Sequence, residues 1–366
     1  MNEDTPLYYT DYLKLDDLLS LQSPKSLERM GELAHEEMLF IIVHQAYELW
    51  FKQILHELDS VIAIFKQDYI DEKNVGVSVS RLNRIIEIQK LLIEQIRVLE
   101  TMTPLDFLDF RDFLIPASGF QSYQFRLMEN RLGLDPEQRK PFEKAPYHAR
   151  LSKEHQQLLI KSEQSLSLFD LVEKWLERTP FLQFHGFDFW QTYRNTVQKM
   201  FERDRKSIEN NPTLSEDEKE TELTELAATE KSFSAIIDED EHNRLREKGF
   251  RRLSFKATQA ALLINLYRDE PILHLPFKLL TCLIEIDEFL TAWRYRHALM
   301  VQRMIGSKIG TGGSSGHQYL KMTAEKHKIF SDLTNLSTFF IPRSKLPELP
   351  EDLKKNLGFY YSKKES

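Results

Sequence analysis

A histidine on the apolar face of a predicted helix comes shortly before a stretch that is rich in glycine. Helical spacing places one set of apolar side chains on the same side as His297: Leu290, Trp293, Met300, Val301 and Met304. Arg294 lies one turn before the histidine. An imidazole can bind iron, indole and aliphatic surface can pack on a planar macrocycle, and a guanidinium can pair with a propionate. The combination fits a haem, although a hydrogen-bonded histidine in an ordinary core has the same pattern and is the commoner case.

The glycine-rich stretch holds five of the twelve glycines of the chain: Gly306, Gly310, Gly312, Gly313 and Gly316. Glycine allows positive φ and close approach of the backbone, so the N–H groups of residues 311–315 could bind an anion. The stretch is not a Walker A loop, because no Lys-Ser or Lys-Thr follows its last glycine and a predicted helix precedes it. A helix end with a flexible tail is the alternative interpretation.

A second histidine and an arginine could act with His297. His44 lies in the apolar run 38–51, and we predict that it is buried within a long helix. Arg111 follows Phe107 by one turn on a short helix, so both side chains share one face. One histidine could bind iron from below while the other lies above, with Arg111 and the glycine stretch holding the two ends of a zwitterion. Spacing alone does not establish this arrangement.

Other common catalytic motifs are missing from the sequence. There is no His-Glu-x-x-His zinc motif, no Gly-x-Ser-x-Gly elbow, and no Gly-x-Gly-x-x-Gly after a strand. Two Glu-x-x-His pairs, Glu32 with His35 and Glu239 with His242, have the spacing of a di-iron bundle site. Both lie in polar surroundings, and we therefore predict solvated helix faces at both.

The elements that must position these residues are helices, because helical periodicity dominates and strand-like alternation is scarce. We predict an all-α fold, a single large helical bundle. A turn is expected at 71–76, and the segment 133–147 is expected to be irregular because it contains three prolines. The main helices are predicted at 27–66, 80–100, 149–161, 166–177, 188–206, 256–267, 278–305 and 319–336, with shorter ones beginning near Pro104 and Ser118.

The whole chain, 1–366, is predicted to form one domain with three peripheral parts. Residues 1–26 form a tyrosine-rich arm, too small to bury itself, that could be exchanged between subunits. Residues 209–230 are strongly acidic and read as a solvated excursion. Residues 343–366, with several prolines, are expected to be partly extended or disordered.

Composition excludes several classes of protein. A net charge of −8 and a pI near 5.8 argue against nucleic acid as a bulk partner. The single cysteine, Cys282, cannot form a disulfide within the chain. The N-terminus lacks the features of a signal peptide, and no apolar run reaches the length of a membrane span. We expect a cytoplasmic protein that does not enter a membrane.

Five stretches, in order and in register, resemble the tryptophan 2,3-dioxygenase family: 40–53, 102–111, 116–122, 293–297 and 310–316. The resemblance runs from about Tyr8 to Pro342. It implies an all-α homotetramer with haem b, ferrous in its active state. It also implies the insertion of both atoms of O2 across the indole C2–C3 bond of L-tryptophan, which gives N-formylkynurenine and begins tryptophan catabolism by the kynurenine pathway.

The resemblance also implies roles around the haem. His297 matches the proximal ligand of the iron, and His44 matches the distal histidine that hydrogen-bonds the indole N–H. Trp293 is expected to contact the haem, and Arg126 is a candidate for pairing with a propionate.

The remaining implied roles concern the substrate. Arg111 matches the arginine that pairs with the carboxylate, and Thr311 matches the threonine that contacts the ammonium. The other residues implied to bind the substrate are Phe40 and Phe107 in the pocket, Ser118 and Gly119 in a loop beside it, and Tyr9, Tyr12 and Leu13 in an arm from a neighbouring subunit.

Two other functions remain open from the sequence. One is a related haem-dependent indole oxygenase with a different substrate or with insertion of one oxygen atom. The other is a haem or tryptophan sensor without turnover. That function would leave Arg111 and the glycine stretch without a role.

Overall fold

The computed structural model describes residues 6–139, 146–179, 189–308 and 316–357. All regular secondary structure in these ranges is helical, which confirms the all-α prediction. The α-helices are α1 (Tyr9–Leu13), α2 (Leu15–Leu19), α3 (Lys25–Met30), α4 (His35–Phe65), α5 (Glu72–Leu99), α6 (Pro104–Arg111), α7 (Tyr123–Leu132), α8 (Lys153–Glu163), α9 (Leu168–Glu177), α10 (Phe189–Glu209), α11 (Glu216–Ile237), α12 (Glu239–Glu247), α13 (Phe255–Leu266), α14 (Pro271–Ile305), α15 (Gly316–Lys326), α16 (Ser331–Asn335) and α17 (Glu351–Leu357).

The chain divides into two compact units. Unit 1 takes the described residues within 1–57, 85–165 and 288–328, and unit 2 takes those within 58–84, 166–287 and 329–366. Helices α4, α5 and α14 contribute residues to both units. The single domain expected from the sequence stays a prediction.

The core of unit 1 is built on α4 and α5. Val43, Tyr47 and Phe51 of α4 are buried, as are Leu92 and Ile96 of α5. The Tyr47 hydroxyl donates to the Leu92 carbonyl oxygen at 2.6 Å, so the one polar atom of this buried ring is satisfied. A helix that is apolar almost all round is stable only in such surroundings.

Several predicted helix boundaries were wrong. The single helix at 27–66 is two helices, because Gly31 adopts φ +78 and ends α3 before α4 begins. The turn expected at 71–76 is the first part of α5, where the Asp71 carboxylate accepts from the backbone N–H of Asn74 at 2.7 Å. Helix α14 begins at Pro271 rather than at 278, with Pro276 inside it. The helix expected at 319–336 is split into α15 and α16.

In unit 2, α9 packs on α13 and α10 packs on α11. The acidic excursion at 209–230 lies largely within α11, whose last turns bury Phe233 and Ile236, while Arg205 pairs with Glu230 at 2.8 Å. The prediction of a solvated face at His242 was wrong, because its ring is fully buried. The His242 Nε2–H donates to the Leu253 carbonyl oxygen at 2.9 Å, which anchors α12 within the unit.

The two ends of the described chain differ in burial. Every residue of α1 is exposed, as an arm that needs a partner would be. The expectation of an extended or disordered tail is only partly met, since 343–345 is a 3₁₀ turn, α17 follows it, and Leu349 is buried. Among the described residues, no helix is both long enough and apolar enough to cross a bilayer.

Candidate active site

A cavity of about 280 Å³ lies within unit 1. Its wall is formed by side chains of α4, α5, α6, α7, α14 and α15 and of the loop after α6. Most of these side chains are apolar or aromatic. The cavity is larger than the roughly 150 Å³ that accommodates benzene in an engineered protein core. It can therefore take a sizeable planar molecule.

His297 faces this cavity from α14. Its ring stacks on that of Trp293, with centroids 5.1 Å apart and planes at 21°. Four of the neighbours predicted from helical spacing line the cavity as well: Trp293, Met300, Val301 and Met304. The fifth, Leu290, is buried but does not line it.

The imidazole of His297 is suited to bind a metal. Its Nδ1 is buried and has no hydrogen-bond partner in the described structure, which leaves Nε2 on the side of the cavity. Burial, with a smaller contribution from repulsion by His44, lowers the pKa of His297 to about 4. The ring is neutral at pH 7 and offers a lone pair, so the alternative of a hydrogen-bonded core histidine does not describe it.

His44 lies on α4 and also lines the cavity. Its Nδ1–H donates to the Phe40 carbonyl oxygen at 2.7 Å, and since a carbonyl can only accept, the neutral ring carries its proton on Nδ1. Nε2 is therefore an acceptor. Desolvation lowers the pKa of His44, and the Phe40 carbonyl and the Glu48 carboxylate oppose this in part.

The prediction that His44 is buried was wrong. His44 is exposed, because its ring borders the cavity. The apolar run around it could not distinguish a cavity wall from a core.

The ring of His44 packs on Phe40, which belongs to a cluster of three phenylalanines. Phe40 lies 4.0 Å from the histidine ring between centroids and stacks on Phe107 at 5.8 Å. Phe110 contacts Phe40 edge-on at 5.6 Å and Phe107 at 5.4 Å. Phe110 is fully buried and packs on both rings without lining the cavity. Such a wall favours a flat aromatic ligand.

Arg111 is the last residue of α6 and lines the cavity beside Phe107. The helix is fixed at its start by a capping box, in which Thr103 accepts from the Asp106 N–H at 3.3 Å and Asp106 accepts from the Thr103 N–H at 2.9 Å. The Arg111 side chain is 15% exposed, and its ion pair with Asp112 is long, at 3.9 Å, to a carboxylate that is 82% exposed. A guanidinium at this position can donate two parallel hydrogen bonds to a carboxylate in the cavity.

The loop after α6 closes one side of the cavity with Ser118 and Gly119. Gln121 Oε1 accepts from the Ser118 N–H at 3.1 Å, and Ser118 Oγ accepts from the Phe120 N–H at 3.4 Å. These bonds fix the backbone of the loop where it borders the cavity. Ser118 and Gly119, which the resemblance places in a loop beside the substrate, both line the cavity, and their contact with a substrate stays a prediction.

A buried ionic network forms another part of the wall. Glu129 accepts hydrogen bonds from Arg126 at 2.9 Å, from Arg139 at 3.2 Å and from Arg294 at 2.8 Å. Burial disfavours ionisation of Glu129, but the surrounding cations and His327 hold the pKa of this carboxyl well below its usual range. Arg126 and Arg294 both reach the cavity, as predicted, but as members of this network. Glu129 and Arg139 were missed, because nothing in the local pattern connects them with α14.

Some predicted site residues are not brought to the cavity. Tyr9, Tyr12 and Leu13 are exposed on α1 and do not line it. Thr311 lies outside the described residues. Within the described part of the chain, no group of three or more histidine, cysteine or carboxylate side chains could hold a free metal ion.

The sequence matches one family of known proteins over most of its length. Residues 1–340 match the family described as Tryptophan 2,3-dioxygenase. A relative of that name from Bdellovibrio bacteriovorus is 54% identical over 97% of this chain and 99% of its own length. Another, from Dictyostelium discoideum, is 51% identical over 97% of this chain and 89% of its own. A third, from Rattus norvegicus, is 48% identical over 94% and 84%.

Proposed function

The chain belongs to the tryptophan 2,3-dioxygenase family, and we propose that the cavity of unit 1 binds haem through His297 and holds L-tryptophan between His44 and Arg111. The protein is an oxidoreductase that oxidises tryptophan with O2, adding both oxygen atoms across the indole C2–C3 bond. One observation supports this use of the cavity above all. Its wall combines a neutral histidine with a free Nε2, an acceptor histidine and an arginine.

The residues of the cavity fit haem. His297 would bind the iron, Trp293 and the methionine side chains of α14 would pack on the macrocycle, and Arg126 or Arg294 would pair with a propionate. When bound, haem supplies the ferrous iron that activates O2 for insertion into the indole.

The substrate would be held at both ends. The fork of the Arg111 guanidinium can donate two parallel hydrogen bonds to the substrate carboxylate. His44 Nε2 can accept the indole N–H, because the Phe40 carbonyl fixes the proton on Nδ1. Thr311, by its match to the family, is proposed to contact the ammonium.

The aromatic wall has two tasks in this arrangement. Phe40 and Phe107, supported by the buried Phe110, would pack on the flat indole ring and keep it in the plane that His44 can reach. They would also exclude water, which strengthens the hydrogen bonds to both ends of the substrate.

We further propose that the enzyme is a homotetramer in which α1 completes a neighbouring subunit's site. The exposure of Tyr9, Tyr12 and Leu13 supports this, because three large apolar side chains on one short helix are costly to leave in water. The mass of the assembly in solution, with and without residues 1–26, tests the proposal.

The experiment that tests the function uses the full chain expressed with a haem supply, reduced, and mixed with L-tryptophan under ¹⁸O-labelled O2. We expect a product heavier than tryptophan by two labelled oxygen atoms. One labelled oxygen would indicate a monooxygenase, and a haem-replete protein that responds spectrally to tryptophan without product would indicate a sensor.

A further inference from the structure

The buried ionic network around Glu129 extends beyond the residues that line the cavity. Beyond Glu129, Arg139 donates to Glu163 Oε1 at 3.2 Å, and the Tyr147 hydroxyl donates to the same oxygen at 2.8 Å. Arg126, Glu129, Arg139 and Arg294 are each at most 7% exposed, whereas the Glu163 side chain is 25% exposed. The network therefore runs from the cavity wall outward to a carboxylate in contact with water.

Among the described residues of this network, cations outnumber anions by one. Three guanidiniums, those of Arg126, Arg139 and Arg294, face two carboxylates, those of Glu129 and Glu163. Ionised groups this far from water interact more strongly than surface groups, because the surroundings polarise weakly.

Glu129 is the centre of the network and its innermost anion. Each of the three guanidiniums donates to one of its two oxygens. Glu129, Arg126 and Arg294 line the cavity, while Arg139 and Glu163 do not. Arg294 also donates to the His327 carbonyl oxygen at 2.9 Å and lies one turn before His297 on α14. The Glu129 carboxylate is therefore at the cavity that would hold the haem, whereas the Arg139 guanidinium lies one hydrogen bond farther from it.

We propose that the charge of Glu129, balanced by the arginines around it, sets the reduction potential of the haem in this cavity. The inference rests on the proposed function, since it requires haem on His297. On reduction, ferric haem takes one electron from an external reductant, and the charge of the iron and its ring falls from plus one to zero. A nearby anion favours the ferric form and a nearby cation favours the ferrous form. Glu129 thus lowers the potential, and Arg139 raises it.

The test is a mediated spectroelectrochemical titration of the haem-loaded full chain and three variants. We expect Glu129→Gln to move the midpoint to more positive potential and Arg139→Gln to move it to more negative potential. Glu163→Gln is the matched control. It removes the same charge at a site farther out and open to water, so its midpoint should rise by less than that of Glu129→Gln.

The opposite signs separate electrostatics from damage to the fold. Loosened packing that admits water would shift the midpoint potentials of Glu129→Gln and Arg139→Gln in the same direction, and that result would overturn the proposal. Unchanged midpoints in both variants with haem bound would also overturn it. If Glu129→Gln does not fold, Arg139→Gln decides alone. A midpoint potential more negative than that of the wild type supports the proposal, and an unchanged midpoint refutes it. A wild-type chain that binds no haem would instead refute the proposed function on which the inference rests.

Discussion

Replacing Arg111 tests how the cavity recognises its substrate. In the proposed complex the Arg111 guanidinium binds the carboxylate of L-tryptophan. Arg111→Ala would leave that carboxylate without its cation at a position where the arginine side chain is only 15% exposed. The variant should therefore bind L-tryptophan much more weakly while it retains its haem, since Arg111 is not part of the Glu129 network.

The size of the effect follows from the burial of the pair. Losing one partner of a desolvated charge pair costs about 2–5 kcal/mol, more than a hydrogen bond at the surface. A value of about 3 kcal/mol corresponds to a loss of roughly 150-fold in affinity, at about 1.4 kcal/mol for each factor of ten. Arg111→Lys should recover only part of this, because an ammonium keeps the charge without the two parallel donors.

The assay is an anaerobic titration of the reduced, haem-loaded protein with L-tryptophan, followed by the haem absorption band. Tryptamine, which has the indole and the ammonium but no carboxylate, is the matched ligand. It should bind to the wild type and to Arg111→Ala with similar affinity. Equal losses for both ligands would refute carboxylate recognition by Arg111, and loss of the haem band would show that the residue is structural.

Three further outcomes are expected. His297→Ala should fold, as judged by circular dichroism, yet fail to retain haem in a titration; retention with an unchanged spectrum would show that another residue binds the iron. Because the Glu48 carboxylate raises the pKa of His44, Glu48→Gln should move the acid limb of the kcat/KM profile to lower pH, and a move to higher pH would contradict this. Burial lowers the pKa of His242 below 6.5, so folding favours its neutral form. Its contribution to stability is therefore present above about pH 6.5 and lost as the pH falls below that value. Between pH 7 and 5, the free energy of unfolding measured with urea should fall less steeply in His242→Gln than in the wild type.

The face that carries His297 could be predicted because helical spacing is a local property. Residues three and four apart share one side of a helix whatever surrounds it, so Trp293, Met300 and Val301 had to accompany the histidine. The start of α6 was predictable for a similar reason, because threonine before proline with an acid in the first turn satisfies the free N–H groups of a helix.

The ionic network could not be predicted, because its contacts join residues far apart in the chain. Glu129 and Arg294 are separated by 165 positions, and polar pairs carry no periodicity that would connect them. Arg126 was a candidate for pairing with a haem propionate, whereas its guanidinium donates to Glu129, one turn later on the same helix. The boundaries at Gly31 and Pro271 were predicted wrongly although their causes are local. Glycine at φ +78 ends α3, and proline is favoured in the first turn of a helix, where α14 begins.

His44 shows how a cavity wall can be distinguished from a core. A cavity wall and a core both need apolar side chains, so the apolar run 38–51 is consistent with either. A core, however, rarely contains a titratable group, because burying one without a partner is costly. Within the run 38–51 of α4, a histidine and a carboxylate, His44 and Glu48, lie one turn apart among aromatic side chains, and both line the cavity. Titratable residues at helical spacing within an apolar run therefore indicate a cavity more strongly than either feature alone, and Phe107 with Arg111 on α6 follows the same rule.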